Sequence, residues 1–190
     1  MVFSVLTKRN KIKYMSRQYP TAEYLHQCFL YKKGKLFWKM RPVFHFSDKA
    51  HCDMSNTRYA GKEAGSLHNS RHKSWDIKIQ GTMRSRAQIT WAMHHGFWPP
   101  QQIDHKNRIS TDDRIENLRI ATTQQNAANR GKRSDNTSGY KGVTRRSGKW
   151  IAQIEFKGKN HILGKFLNPK EAHEAYLKAA TSLHGEYATG

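Results

Sequence analysis

The chain has 190 residues, enough for one large domain or two small ones. Its 34 Lys and Arg residues stand against 14 Asp and Glu, a formal charge of +20. That excess opposes a compact globule unless a polyanion neutralises it, so nucleic acid is the expected partner.

A merely solvated basic surface and a structural RNA-binding protein are the alternatives that charge alone leaves open. No apolar run approaches the roughly 18 residues of a membrane span. Met1 to Leu6, followed by Lys8-Arg9, is too short for a signal-peptide core. A cytoplasmic protein is expected. Cys28 and Cys52 have the spacing of neither a disulfide framework nor a zinc knuckle. His45, His51 and Cys52 lack the paired spacing of a metal site. Residues 1–80 carry 16 basic and 5 acidic side chains, 81–130 carry 7 and 4, and 131–190 carry 11 and 5. The middle of the chain is therefore the least basic part.

Residues 1–22 read as a basic arm. Phe29, Tyr31 and Leu36-Phe37-Trp38 around the turn Lys32-Lys33-Gly34-Lys35 predict a hairpin. Residues 45–74 show no period and predict a long, partly ordered loop. Trp75–Ile79 alternates as a strand does. Residues 85–95 predict a helix capped by Ser85 and stopped by Gly96. Ile103-Asp104-His105 is a short strand, 106–113 a turn-rich loop and Asn117–Ala121 a second strand. A helix capped by Thr123 then runs to about Arg130.

Gly131–Ser138 is polar and reads as a linker. Strand-like segments follow at 140–145, 150–156 and 161–166, with turns at Ser147-Gly148 and Lys157-Gly158. Asn168 caps a last helix with Pro169 first and Glu171 completing a capping-box-like pair. Ala172, Ala175, Tyr176, Ala179, Ala180 and Leu183 form its apolar stripe, and Gly185 ends it.

The chemistry concentrates between Ile103 and Arg130. An Asp-His pair, a central Asn117 in Asn-Leu-Arg and a later Asn126 stand at fixed spacing in a basic chain. An imidazole can deprotonate a water, and a carboxylate with an amide oxygen can hold a hard divalent cation. Taken singly, Asp104 could pair with Lys106 or Arg108, and Asn126 and Asn129 could face solvent. His94 and His95, at a helix end, read as packing or dipole-compensating residues. Asp104 and His105 would face opposite sides of a regular strand, so both can serve one phosphate only if the strand ends or twists there.

Taken together, these residues resemble the HNH endonuclease family, and within it the phage homing-endonuclease branch, in which Asn replaces the last His. The resemblance covers about Tyr24 to Arg130. It implies a ββα-metal nuclease module over 23–130, with His105 as general base and Asp104 and Asn126 as ligands of one Mg2+ or Mn2+ per active site. It implies that Asn117 braces the loop between the strands and so positions His105.

Asn136–Arg146, Lys149–Ile154, Leu163–Phe166 and the helix with Glu171-Ala172 and Ala175-Tyr176 resemble a second family. This is the Apetala/ethylene-response-factor DNA-binding domain, over 139–190. It implies a three-stranded antiparallel sheet packed on one helix. It also implies Lys141, Arg145, Arg146 and Lys149 at the DNA. Thr144, Glu155 and Ile162 depart from the plant pattern, so the plant target sequence does not carry over. Tyr140, Trp150, Ile154, Phe166 and Tyr176 read as core.

The expected class is thus α+β. The expected function is a site-directed, homing-type endonuclease acting on double-stranded DNA. A DNA-binding regulator with an inactive nuclease module is the alternative. A monomer is expected, with a dimer needed if both strands are cut together.

Overall fold

In the computed structural model, residues 19–68 and 73–189 are described. The expected arm therefore lies outside them up to residue 18. The protein is mixed α+β, with several small sheets. Its contacts divide it into two units. One is Met1–Pro100 with Ser110–Leu118, and the other is Gln101–Ile109 with Arg119–Gly190. Among the described residues no helix is long and apolar enough to cross a membrane.

The first unit opens with α1 (Ala22–Cys28), capped by Thr21, whose hydroxyl accepts from Tyr24 N at 3.2 Å. The expected hairpin follows as β1 (Phe29–Lys32) and β2 (Lys35–Trp38). Residues 45–74 are not the loop that their composition suggests. They hold α2 (Lys49–Tyr59) and β3 (Ser66–His68). The α2 helix escapes a periodicity reading because Cys52 is its only buried residue. Local polar bonds hold it instead. The Asp48 carboxylate accepts from His51 N at 2.8 Å, and the Lys49 ammonium pairs with Asp53 one turn on at 2.8 Å. The Asn56 side chain exchanges two bonds with the Arg41 backbone, 3.0 and 2.9 Å.

Three antiparallel strands come next, in the order β3, β4 (Ser74–Ile79) and β5 (Thr82–Ser85). The expected helix is α3 (Arg86–His95), with Ser85 accepting from Gln88 N at 3.3 Å and Gly96 left-handed at its end. Leu25, Phe29, Leu36, Ile77, Ile79, Ile89 and Met93 make the core of this unit. Arg86 is buried in it, and its guanidinium donates to Asp113 at 2.7 Å, Glu63 at 2.8 Å and the Thr111 carbonyl at 3.2 Å. Two carboxylates compensate one buried cation, and this ties the 110–118 segment down.

The second unit contains β6 (Gln102–His105), which forms a two-stranded sheet with β7 (Leu118–Ala121). Arg119–Ala121 of β7 belong to this unit. Helix α4 (Thr123–Asn129) follows. Its cap is Thr122, one residue before the expected Thr123. Thr122 and Gln125 close a reciprocal capping box, 3.2 and 2.8 Å.

The three expected strands are β8 (Val143–Arg146), β9 (Lys149–Phe156) and β10 (Lys159–Phe166), antiparallel with β9 central. Helix α5 (Pro169–His184) is capped by Asn168, which accepts from Lys170 N at 2.8 Å. The cap engages Lys170, so the expected pairing with Glu171 is not the one formed. Val143, Ala152, Ile154, Ala172, Tyr176 and Ala180 are buried between sheet and helix, with Tyr140, Trp150 and Phe166 packed against them. Of the set expected as core, Ile154 and Tyr176 are buried, and Tyr140, Trp150 and Phe166 are half-buried against the core.

Gly142 is essential to that packing. Its φ is +72°, and a Cβ there would collide with the Tyr176 ring. Gly142→Ala should lower unfolding free energy by at least about 2 kcal/mol, from left-handed strain plus overpacking. Gly148→Ala, at φ +76° with open space around it, should cost only the strain. Equal losses in urea unfolding would remove the ring contact from this account.

Candidate active site

The Asp-His pair sits at the end of β6. Asp104 is 4 % exposed, and His105 is half-buried. The strand stops at His105. Its carbonyl accepts from Arg108 N at 2.9 Å, and Arg108 is left-handed with φ +64°. The condition set by alternation, that the strand end at this pair, is met.

The Asp104 carboxylate is held by neither Lys106 nor Arg108. Arg119 Nε on β7 donates to its Oδ2 at 2.8 Å. Asn129 Nδ2 on α4 donates to Oδ1 at 2.9 Å, to Oδ2 at 3.0 Å and to the His105 carbonyl at 2.8 Å. Arg119 and Asn129 are the residues that sequence reasoning missed. Arg119 lies inside the quoted Asn-Leu-Arg, yet an arginine in a basic chain reads as surface charge. Asn129 shared a solvent-facing reading with Asn126, and it is 2 % exposed.

Asn126 lies one turn earlier on α4, and its Nδ2 donates to Gln102 Oε1 at 2.8 Å. Gln102 and Asp104 share one face of β6, and Asn126 and Asn129 share one face of α4. Three residues of helix rise about 4.5 Å and two of strand about 6.6 Å, close enough for the two polar pairs to stack along one seam. A shallow cavity of about 280 Å³, lined by Gln101, Gln102, Ala121, Thr122 and Thr123, opens beside this end of the seam.

Asn117 belongs to the first unit. It ends a 3₁₀ turn, Ile115–Asn117, and its Nδ2 donates to the Asp112 carbonyl at 2.7 Å. His94 and His95 bond the Thr90 and Trp91 carbonyls of their own helix at 2.8 and 3.1 Å, and His95 stacks on Trp91. Both remain exposed at the end of the helix.

The oxygens of the Asp104 carboxylate and of the Asn126 and Asn129 amides are of the kind a hard cation takes. Asp104 Oδ1 takes one hydrogen bond, and the Asn126 amide oxygen takes none among the described residues. Asn129 Oδ1 is buried and has no partner among the described residues. Among the described residues no three His, Cys, Asp or Glu side chains cluster. A hard divalent ion that keeps much of its shell as water and phosphate oxygen suits such oxygen donors.

The four basic residues expected at the DNA divide. Arg146 and Lys149 are opposite each other in the β8–β9 register and exposed. Arg145 is paired with Trp150 and lies over its ring at 5.4 Å. The Lys141 ammonium is turned inward, bonding the Ala128 carbonyl and both oxygens of Thr189, the last two at 3.1 Å. Burial, helped by the charge of Arg108, brings its pKa down to about 8. Lys165 is opposite Ile151 and so shares the face of Lys149. It is a further exposed cation that the resemblance did not single out.

Residues 88–128 match the family model of the HNH endonucleases. The matched stretch begins in α3, takes in β6 and β7, and stops at Ala128 in α4, so β8–β10 and α5 lie outside it. No curated protein and no solved structure matches the chain. The match supports an HNH nuclease.

Removing one member of the buried pair leaves an uncompensated charge. Arg119→Met should therefore cost about 3–5 kcal/mol of unfolding free energy. Adding Asp104→Leu should restore much of it, because the orphaned carboxylate is then gone. Losses that simply add in urea unfolding would show that the two residues are not coupled.

Proposed function

We propose that the chain is a site-directed DNA endonuclease of the phage homing type, hydrolysing phosphodiester bonds with a histidine base and one divalent ion. The observation that carries this reading is the coincidence of two things. The HNH endonuclease match falls on β6, β7 and most of α4, and Arg119 inside it and Asn129 just past its end hold Asp104 at the strand end that carries His105.

In this reading His105 takes the proton of the attacking water. Its main chain is fixed by two hydrogen bonds to its carbonyl, from Arg108 N and Asn129 Nδ2. Asp104 and Asn126 supply oxygen ligands for Mg2+ or Mn2+, one ion per site. When bound, the ion stabilises charge on the scissile phosphate and the leaving oxygen. Asn117 braces the loop ahead of β7.

The C-terminal sheet, which we assign to the Apetala/ethylene-response-factor type, reads double-stranded DNA with the face that carries Arg146 and Lys149. Like charges directly opposite in a sheet repel, and phosphates relieve that repulsion. Arg145 flanks this face. Lys141 serves the end of α4 in place of the DNA. Tethering a reader to the catalytic part raises the effective concentration of the latter at the chosen site. One active site per monomer makes nicking the expected product, and cutting both strands requires a second copy or a second event.

The test is supercoiled DNA with Mg2+ or with EDTA, beside His105→Ala. Metal-dependent opening by the wild type alone is expected, with His105→Ala binding DNA as tightly and cutting at least about a hundredfold more slowly. Tight binding with no cutting by the wild type would favour a DNA-binding regulator with an inactive nuclease module. Arg146→Ala should lower the slope of log affinity against log salt by about 1. An unchanged slope removes Arg146 from the DNA contacts.

A further inference from the structure

The chain does not end with α5. After Gly185 a 3₁₀ turn, Gly185–Tyr187, leads into a short strap that runs to Thr189. The strap returns to β7 and α4, and its anchors include both residues that hold Asp104. Arg119 holds Asp104 through Nε, and through Nη1 it donates to the Glu186 carbonyl at 2.9 Å. The Tyr187 ring lies against the same guanidinium, 3.9 Å from its centroid, and the Tyr187 hydroxyl donates to the Ile120 carbonyl at 2.8 Å.

Thr189 secures the other partner of the carboxylate. Its hydroxyl lies 3.2 Å from the Ala128 carbonyl and 3.1 Å from that of Asn129. Lys141, at the start of the recognition sheet, bonds the Ala128 carbonyl and Thr189. Ala188 packs against Ile154, Tyr176 and Ala180. Both groups that fix the carboxylate, Arg119 and Asn129, are thus themselves fixed by the strap.

We infer that the strap Glu186–Thr189 positions Asp104 for its cation through Arg119 and Asn129, with Tyr187 and Thr189 as positioning residues. The inference rests on the nuclease reading for what Asp104 does. A guanidinium offers several donors in one plane. With Nη1 and the ring face committed to the strap, Arg119 cannot swing, so Oδ2 stays occupied and Oδ1 keeps one orientation. Groups one shell out from a ligand typically change metal affinity tenfold or more. The strap also continues directly from α5, the helix that backs the recognition sheet.

The experiment titrates Mn2+ into the full chain by electron paramagnetic resonance, for the wild type, Tyr187→Phe, Tyr187→Leu and Thr189→Val. DNA affinity, unfolding midpoint and cutting rate against Mn2+ are measured beside it. Tyr187→Leu should raise the Mn2+ concentration for half occupancy and for half-maximal cutting by about tenfold, with DNA affinity unchanged. Tyr187→Phe, which keeps the ring against the guanidinium, should recover most of the loss. A wild-type Mn2+ response in a folded Tyr187→Leu protein overturns the inference. If Tyr187→Leu does not fold, Thr189→Val decides in the same way, with a smaller shift expected and no shift overturning it. A wild type that cuts no DNA overturns the nuclease reading instead. The Mn2+ titration then decides the strap alone, and absence of Mn2+ binding to the wild type overturns it as well.

Discussion

The ion pair between Arg119 and Asp104 organises the segment on which the HNH endonuclease match falls. Asp104 is 4 % exposed, and a carboxylate taken that far out of water costs several kcal/mol unless charge and hydrogen bonds compensate it. One guanidinium nitrogen and one amide do so, and they come from different elements, β7 and α4. Satisfying one buried charge therefore fixes the mutual placement of β6, β7 and α4. Alternation along β6 then sends His105 to the other side of the strand, at the point where the strand ends. The first unit solves a similar problem with the charges reversed. Buried Arg86 is neutralised by Asp113 and Glu63, and this holds the 110–118 segment.

Charge acts differently at the surface. An excess of +20 repels itself, and the C-terminal sheet distributes its share unevenly. Lys141 is spent on backbone oxygens and Arg145 lies over Trp150, while Arg146, Lys149 and Lys165 project from the opposite face. A count of basic residues treats these as equivalent. The strand register separates the four that lie in strands, because period-2 geometry assigns each to a side, and packing against α4 turns Lys141 inward.

Much of the element pattern was legible along the chain. Ser85, Asn168 and the turns at Lys33-Gly34 and Ser147-Gly148 act through neighbours two or three residues away, so their local chemistry suffices. The α2 helix was not legible. It buries only Cys52, and a helix without an apolar stripe has no period to detect. The α1 helix and β5 are short, seven and four residues, and so fall below what a periodic pattern can signal. At the candidate site, spacing singled out Asp104, His105 and Asn126 and passed over Arg119 and Asn129. Their importance lies in what they touch 15 and 25 residues away.

The sequence by itself determined the basic character, the strands, caps and turns of the C-terminal module, and the Asp-His and Asn spacing that resembles an HNH nuclease. All of these are local or compositional properties, set by neighbouring residues and by charge. Only the tertiary structure decided that Asp104 lies in a buried ion pair, that Lys141 turns inward while Arg146 and Lys149 face out, and that the last residues after α5 return to Arg119 and Asn129. Those outcomes depend on which elements pack together. Burial makes an unpaired charge or carbonyl costly, so a fold with few compensating partners has little freedom in how it satisfies them.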